Sequence, residues 1–297
     1  MNRYPLIEEI SLTLSPPDIF GLFHHEPHSS FLDSGMDPQR LGRYSFIGID
    51  PFLVMRSRGN AITIMGEDKQ KVERGNPFDV LGRLLEIYRL DSFPAPVPFL
   101  GGAIGYFSYD LCHFIECLPT NAIDDLKLPE SYFAFYDTII AFDNLKNKTY
   151  IVSTGFPELG QTQRLKRARL RFAELKRRLY AANTTALGNN FKNINGSTEA
   201  LLKSNFTPDD YVKAIERARE YIIAGDIYQV NLSQRFETDL TISPYQLYQR
   251  LRQINPAPFA SYLNFEGITV VGASPERFLK VDGDSIETRP IKGMVTT

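Results

Sequence analysis

The chain has 297 residues, 43% of them hydrophobic and 23% charged, with a formal net charge of -2 and two cysteines. Those values exclude wholesale disorder, a disulfide framework and any general attraction to nucleic acid or an anionic membrane. Glu8 and Glu9 interrupt the first apolar run, so it does not read as a signal peptide, and no uncharged stretch approaches the ~18 residues of a membrane span. A cytoplasmic protein with one large or two ordinary domains is expected.

The first 150 residues read as strand-rich. "RYSFIGIDPFLVMRSRGNAITIMG" offers β-branched and aromatic runs broken at Asp50-Pro51 and Gly59-Asn60, the punctuation of antiparallel hairpins. "SYFAFYDTIIAFDNLKNKTYIVS" predicts a second hairpin with a polar turn from Asp143 to Lys148. Between them Asn76-Pro77 opens a helix, with Val80, Leu81, Leu84, Leu85 and Tyr88 as its apolar stripe. Strands in series with few helices point to an α+β arrangement, or a layered β-sandwich with flanking helices.

Residues 161–181 form a basic amphipathic helix. Leu165, Ala168, Phe172, Leu175 and Leu179 line one face, and eight Lys and Arg residues from Arg164 to Arg178 crowd the others. A polyanion contact is one reading, but the net charge favours a surface helix with a solvated outer face. The Asn- and Thr-rich stretch 182–206 reads as a linker, dividing a first domain, 1–181, from a second, 207–297.

Beyond the linker, Thr207-Pro208 caps a helix with Tyr211, Ile215, Ala218 and Ile222 on its apolar face and Gly225 closing it. "IYQVNLSQRF" then alternates as a strand would. Tyr228, Val230 and Leu232 face one way; Gln229, Asn231, Ser233 and Arg235 face the other. The latter face is either solvated or a lining suited to a small polyanionic ligand. Ser243-Pro244 caps a helix reaching Ile254, and strands over 259–265 and 268–273 flank the Glu266-Gly267 turn.

Several apparent sites dissolve on inspection. Cys112, His113, Glu116 and Cys117 in "CHFIEC" do not converge on a helix, so no metal is assigned to them. His24, His25 and His28 lie at an expected helix end, where cationic imidazoles facing solvent suit the macrodipole. Gly101, Gly102 and Gly105 lack dinucleotide-loop spacing, and close backbone packing explains them better.

The strongest constellation is Glu276 in "GASPERF" with Arg289 and Lys292 in "ETRPIKG". Ser274-Pro275 reads as an N-cap and first helical residue, placing Glu276 in a first turn, and a hairpin around Asp282-Gly283 returns the chain towards it. A free lysine, pKa about 10.4, is neutral in only roughly one molecule in 2,500 at pH 7. Burial and a neighbouring guanidinium such as Arg289 would lower that value, and Glu276 would protonate a leaving hydroxyl. From the residues alone, a surface salt bridge is the competing reading.

"AGDIYQVNLSQRF", "SPERF" and "TRPIKG", together with "FLDSG", "GRYSFIG", "GGAIGYFSYDL", "IECLP" and "INPAPF", closely resemble motifs of the chorismate-utilising enzymes. The resemblance is to component I of the aminodeoxychorismate and anthranilate synthases, and it runs along nearly the whole chain in family order. It implies an anthranilate synthase component I-like fold. Anthranilate synthases carry alanine where Lys292 stands. The resemblance therefore implies an aminodeoxychorismate synthase whose Lys292 adds to C2 of chorismate as the C4 hydroxyl departs, with Glu276 as general acid/base. It also implies Arg289, Gln229, Asn231 and Ser233 as substrate-binding residues, and ammonia from a glutamine amidotransferase subunit. Its tryptophan pocket maps onto Ser34, Arg43, Tyr44, Pro258, Phe259 and Ala260. The motif departs from the family at Met294, where threonine is usual. Magnesium is implied too, with ligands beyond this chain, so the catalytic domain is expected to be incomplete and this chain inactive alone. Anthranilate synthase and a non-catalytic scaffold for the glutaminase subunit are the alternatives.

Overall fold

The computed structural model describes residues 2–67, 69–120, 123–185 and 201–290. In chain order its elements are β1 (Leu6–Ile10), α1 (Pro16–Gly21), β2 (Ser30–Asp33), β3 (Tyr44–Gly48), β4 (Leu53–Arg58), β5 (Ala61–Gly66), β6 (Gln70–Arg74), α2 (Pro77–Ile87) and β7 (Gly102–Phe107). A 3-10 helix (Tyr109–Phe114) precedes β8 (Ser131–Tyr136), β9 (Thr138–Asp143), β10 (Lys148–Ser153) and α3 (Gln161–Thr185). There follow β11 (Lys203–Ser204), α4 (Pro208–Ala224), β12 (Phe236–Glu237) and α5 (Pro244–Ile254). The chain then forms β13 (Phe259–Phe265), β14 (Ile268–Ser274), β15 (Arg277–Asp282) and β16 (Ser285–Arg289).

Two compact units divide the chain, one of residues 190–243 and one of everything else. This boundary differs from the expected division at 182–206, because α5, β13 and β14 join the first unit. β13 pairs with β2, aligning Tyr262 with Phe31, so the sheet begun near the N-terminus is completed by residues far along the chain.

The first unit stacks two antiparallel sheets. One has seven strands in the order β1-β10-β9-β3-β2-β13-β14, the other five in the order β6-β5-β4-β8-β7. Alternation along β9 shows how the layers form. Ile140 and Phe142 join Phe31, Tyr248 and the α3 residues Phe172, Leu175 and Leu179 on one face. Ile139 and Ala141 join Tyr132, Tyr136 and Phe265 between the sheets. On the outer face of the five-stranded sheet, Met55, Ile62 and Phe133 pack on Val80, Leu81 and Leu84 of α2. Burying each such side chain contributes roughly 1.5–3 kcal/mol.

Several expectations hold locally. Asn76 accepts from the Phe78 amide at 2.9 Å, and the Thr207 hydroxyl accepts from the Asp210 amide at 3.1 Å. Gly225 ends α4 with φ of 82°. Others need correction. The segment 131–153 is not one hairpin: β8 belongs to the five-stranded sheet, and only β9 and β10 pair. Asp137, where the chain crosses between sheets, is buried; Arg167 Nε and Arg171 Nη2 reach its carboxylate at 3.3 and 3.4 Å. Arg164 also turns inward, donating to the Tyr4 and Thr154 carbonyls at 3.0 and 2.8 Å, whereas Leu165 is exposed. The basic helix therefore spends much of its charge on the fold. Lys166, Arg169 and Arg177 remain on its solvated face.

In the second unit, α4 has no buried residue, and the expected strand over 227–236 pairs only at Phe236–Glu237, with Lys203–Ser204. Tyr228 is exposed rather than inward. The alternation is present in the sequence, but among the described residues only its last position finds a paired strand, so it makes no longer ladder.

Candidate functional site

β15 and β16 form a hairpin closed by Asp282↔Ser285, with Gly283 at φ 59° as the first of two turn residues. A type II′ turn requires that geometry, and glycine supplies it. At the open end Arg277 aligns with Arg289, and the register shifts between Arg277 and Lys280. Glu276 lies immediately before β15, half-buried. The expected helix at Ser274-Pro275 does not form. The Ser274 hydroxyl instead donates to the Glu276 carbonyl at 3.1 Å, turning the chain from β14 into β15. Ser-Pro starts a turn as readily as a helix, and here the pairing of β15 with β16 decides.

Arg289 forks onto Glu287, with Nε and Nη2 at 3.0 and 3.2 Å from its two oxygens. Arg277 also binds Glu287, and its guanidinium lies 4.8 Å from the Phe259 ring centroid, tying the hairpin to β13. The hydrogen bond from Arg289, aided by Arg277, pushes the Glu287 carboxyl down to about 2. Sequence reasoning missed Glu287. A carboxylate two residues before Arg289 in a strand shares its face, which was the available signal. Lys292 lies outside the described residues. Gln229, Asn231 and Ser233 are exposed and belong to the other compact unit.

The second set of expected residues meets in one place. Ser34, Arg43, Tyr44, Pro258, Phe259 and Ala260 all line a cavity of about 710 Å³ in the first unit. β2, β3 and β13 bring them together through their antiparallel pairing. Leu32, Phe46 and Val97 supply apolar wall, and Arg277 and Lys280 of the hairpin close one side. The Ser34 hydroxyl donates at 2.6 Å to the Tyr44 carbonyl and lies 3.2 Å from that of Pro258. Arg43 binds Asp143 through Nε and Nη2 at 3.1 and 2.7 Å and lies 4.8 Å from the Tyr44 ring centroid. Burial works to raise the Asp143 carboxyl, but bonds from Arg43 and the Lys146 amide outweigh it and hold it below its ordinary value. Next to Ser34, the buried Asp33 accepts from Tyr248 Oη and Arg252 Nε of α5, each at 2.6 Å. Asp33 and the Ala95–Pro98 wall were not anticipated, since neither carries a local pattern.

Among the described residues no group of three or more His, Cys, Asp or Glu is arranged to hold a metal ion. The described residues therefore do not fit a magnesium site. His24 also departs from expectation. It stacks on Tyr245 with centroids 4.0 Å apart, and burial lowers its pKa, so it is not a solvated cation at a helix end. Gly105 conforms to the packing explanation: a Cβ there would stand 1.9 Å from the Tyr132 carbonyl oxygen. Among the described residues no helix is long and apolar enough to cross a membrane.

The profile of the chorismate binding enzymes matches residues 27–297. Anthranilate synthase component 1 of Acetivibrio thermocellus is 33% identical over 98% of this chain and 60% of its own. The Thermus thermophilus protein of the same name is 36% identical over 89% and 54%. Aminodeoxychorismate synthase component 1 of Bacillus subtilis is 31% identical over 87% and 53%. The chain thus spans little more than half the length of these relatives. The crystal structure of anthranilate synthase component I from Streptococcus pneumoniae shares the fold, with a TM-score of 0.65 at 24% identity, over 82% of this chain and 53% of that one. By its matched profile and its relatives, the chain belongs to the chorismate binding enzyme family, alongside component I of the anthranilate and aminodeoxychorismate synthases.

Proposed function

We propose that this chain belongs to component I of an aminodeoxychorismate synthase, the enzyme that converts chorismate and ammonia to 4-amino-4-deoxychorismate and water. The observation that carries the reading is Lys292 in "TRPIKG", where the anthranilate synthases hold alanine. The lysine amine, held neutral, forms a bond to C2 of the ring. Both ring double bonds shift, from C1=C2 and C5=C6 to C6=C1 and C4=C5, and the C4 hydroxyl leaves as water with a proton from Glu276. Ammonia then bonds to C4, both double bonds return to C5=C6 and C1=C2, and the C2–N bond breaks to expel the lysine amine. A transferable proton on Glu276 is what makes hydroxide a competent leaving group. A glutamine amidotransferase subunit supplies the ammonia.

Support comes from Glu276 standing immediately before β15, at the hairpin end where Arg277 aligns with Arg289. The cavity lined by Ser34, Arg43, Tyr44 and Phe259 supports a second ligand, free tryptophan: an apolar cleft for an indole beside a cation and a hydroxyl. The relatives also support a second reading, anthranilate synthase, because two of the three sequence relatives named above carry that name. Incubation of the chain with chorismate, magnesium and ammonium ions tests both. Aminodeoxychorismate, and a chorismate-less-water adduct on Lys292 seen by mass spectrometry, support the first. Anthranilate as product supports the second. Undiminished aminodeoxychorismate formation by Lys292→Ala would remove the nucleophile assignment. No turnover, with the glutaminase subunit still bound, would favour a scaffold.

A further inference from the structure

Arg277 opens β15 and stands opposite Arg289 across the ladder with β16. Like charges placed directly across a strand pair repel, so something must hold them there. Glu287 supplies the hold. Its Oε1 accepts from Arg277 and, at 3.0 Å, from Arg289 Nε, and its Oε2 accepts from Arg289 Nη2 at 3.2 Å. The same Arg277 guanidinium lies over the Phe259 ring, 4.8 Å from the centroid. Arg277 and Phe259 both line the cavity shared by β2, β3 and β13, whereas Glu287 lies outside its lining. The register shift after Arg277 breaks strict alternation, so that the neighbours Leu279 and Lys280 line the cavity too. A single guanidinium therefore touches the cavity wall at a ring and the hairpin at a carboxylate.

An aromatic ligand entering the cavity gains by stacking on an aromatic wall, and a ring face carries either a stacked ring or a guanidinium. We propose that Arg277 couples the cavity to the hairpin: an aromatic ligand that covers Phe259 displaces the Arg277 guanidinium from the ring and from Glu287, and leaves Glu287 to Arg289 alone. The sign of the coupling follows from the shared oxygen. With its competitor for Oε1 gone, Arg289 is held more firmly on Glu287 and is less free to meet an anionic substrate. That last consequence rests on the function proposed above; the coupling itself does not. Coupling between two sites is reciprocal, so loosening Arg277 from Glu287 also makes the ligand easier to bind.

The test follows ligand and carboxylate together, with free tryptophan as the aromatic probe and the whole chain as the protein. Ligand fluorescence gives the affinity, and the carboxyl carbon resonance of Glu287 at neutral pH reports which guanidiniums it holds. Saturating tryptophan should move that resonance to the position it takes in Arg277→Met, and slow the exchange of the Arg289 Nε–H about twofold. Arg277→Met, which frees the ring, should bind tryptophan about threefold more tightly. Glu287→Gln lies outside the cavity, yet by reciprocity it should tighten binding about twofold. Weaker binding by Arg277→Met would make Arg277 a contact of the ligand and overturn the inference, as would unchanged binding by Glu287→Gln. Bound tryptophan with an unmoved Glu287 resonance would overturn it too, while leaving the tryptophan cavity and the proposed function intact. Should tryptophan not bind, the tryptophan reading of the cavity falls, and Phe259→Leu decides the coupling. A Glu287 resonance displaced towards its Arg277→Met position upholds it; an unmoved one overturns it.

Discussion

Arg43, which lines the cavity shared by β2, β3 and β13, forms a two-pronged ion pair with Asp143, with Nη2 and Oδ2 at 2.7 Å. They are 100 positions apart in sequence. The pair joins the β3 end of the cavity to the turn between β9 and β10, since Asp143 also accepts from the Lys146 amide at 3.2 Å.

Removing the charge of Asp143 should therefore loosen both. Asp143→Asn leaves Arg43 without its partner in a half-exposed site, and a loss of about 1–2 kcal/mol in unfolding free energy is expected. The pH dependence follows from the lowered carboxyl. A folded-state pKa below the unfolded value, about 3.9, adds stability that is present above that value. It is lost as pH falls through the folded pKa. The variant should thus differ from the parent chain at pH 7 and converge with it in strong acid, as read by chemical denaturation. A gap that persists to the lowest pH would refute the assignment.

The cavity offers an unusually direct binding assay, because the chain has no tryptophan of its own. Indole fluorescence in a mixture with free tryptophan comes from the ligand alone. Saturable blue-shifted emission is expected, and Phe259→Ala should weaken binding about tenfold by removing an apolar wall. Unshifted emission up to millimolar protein would end the proposal for this cavity.

Glu287 should titrate far from an ordinary glutamate. With its carboxyl pushed down to about 2 by Arg289 and Arg277, its carboxyl carbon resonance should move only near that pH. In Arg289→Ala the midpoint should rise towards the usual range, about 4.3. The stability this cluster adds is present above the unfolded value and disappears as pH drops towards 2. A midpoint unchanged by the substitution would show that Arg289 does not hold Glu287 in solution.

Two glycines should respond in opposite ways to alanine. At Gly105 the new Cβ would run into the Tyr132 carbonyl of the paired strand, and backbone must move; a loss of about 3 kcal/mol or more is expected. Gly82 lies on the exposed side of α2 with no atom within 4 Å of such a Cβ. There alanine should raise stability by about 0.5–1 kcal/mol. Thermal unfolding of the two variants beside the parent chain decides the matter, and equal shifts would contradict the strand packing described.

The caps at Asn76 and Thr207, the closing Gly225 and the glycine turn at Gly283 were all legible in the sequence. Each acts through a hydrogen bond or a dihedral preference that reaches only a few residues. The motifs carrying the family resemblance stand in the sequence too, and it was that resemblance, not a local pattern, that named the six residues now seen to line the cavity. What the chain's own pattern did not reveal was decided at longer range. Arg164, Arg167 and Arg171 look solvent-bound on a helical projection, yet buried carbonyls and Asp137 reward turning them inward. The alternation of 227–236 makes no extended ladder, because period-two patterning becomes a sheet only where a neighbour is present to accept it. Residues such as Ser34 and Phe259 share a cavity because β2 and β13 pair across more than two hundred positions. Short-range chemistry is written in the order of residues, whereas burial and pairing depend on which distant segments come to lie alongside, and only the folded chain decides that.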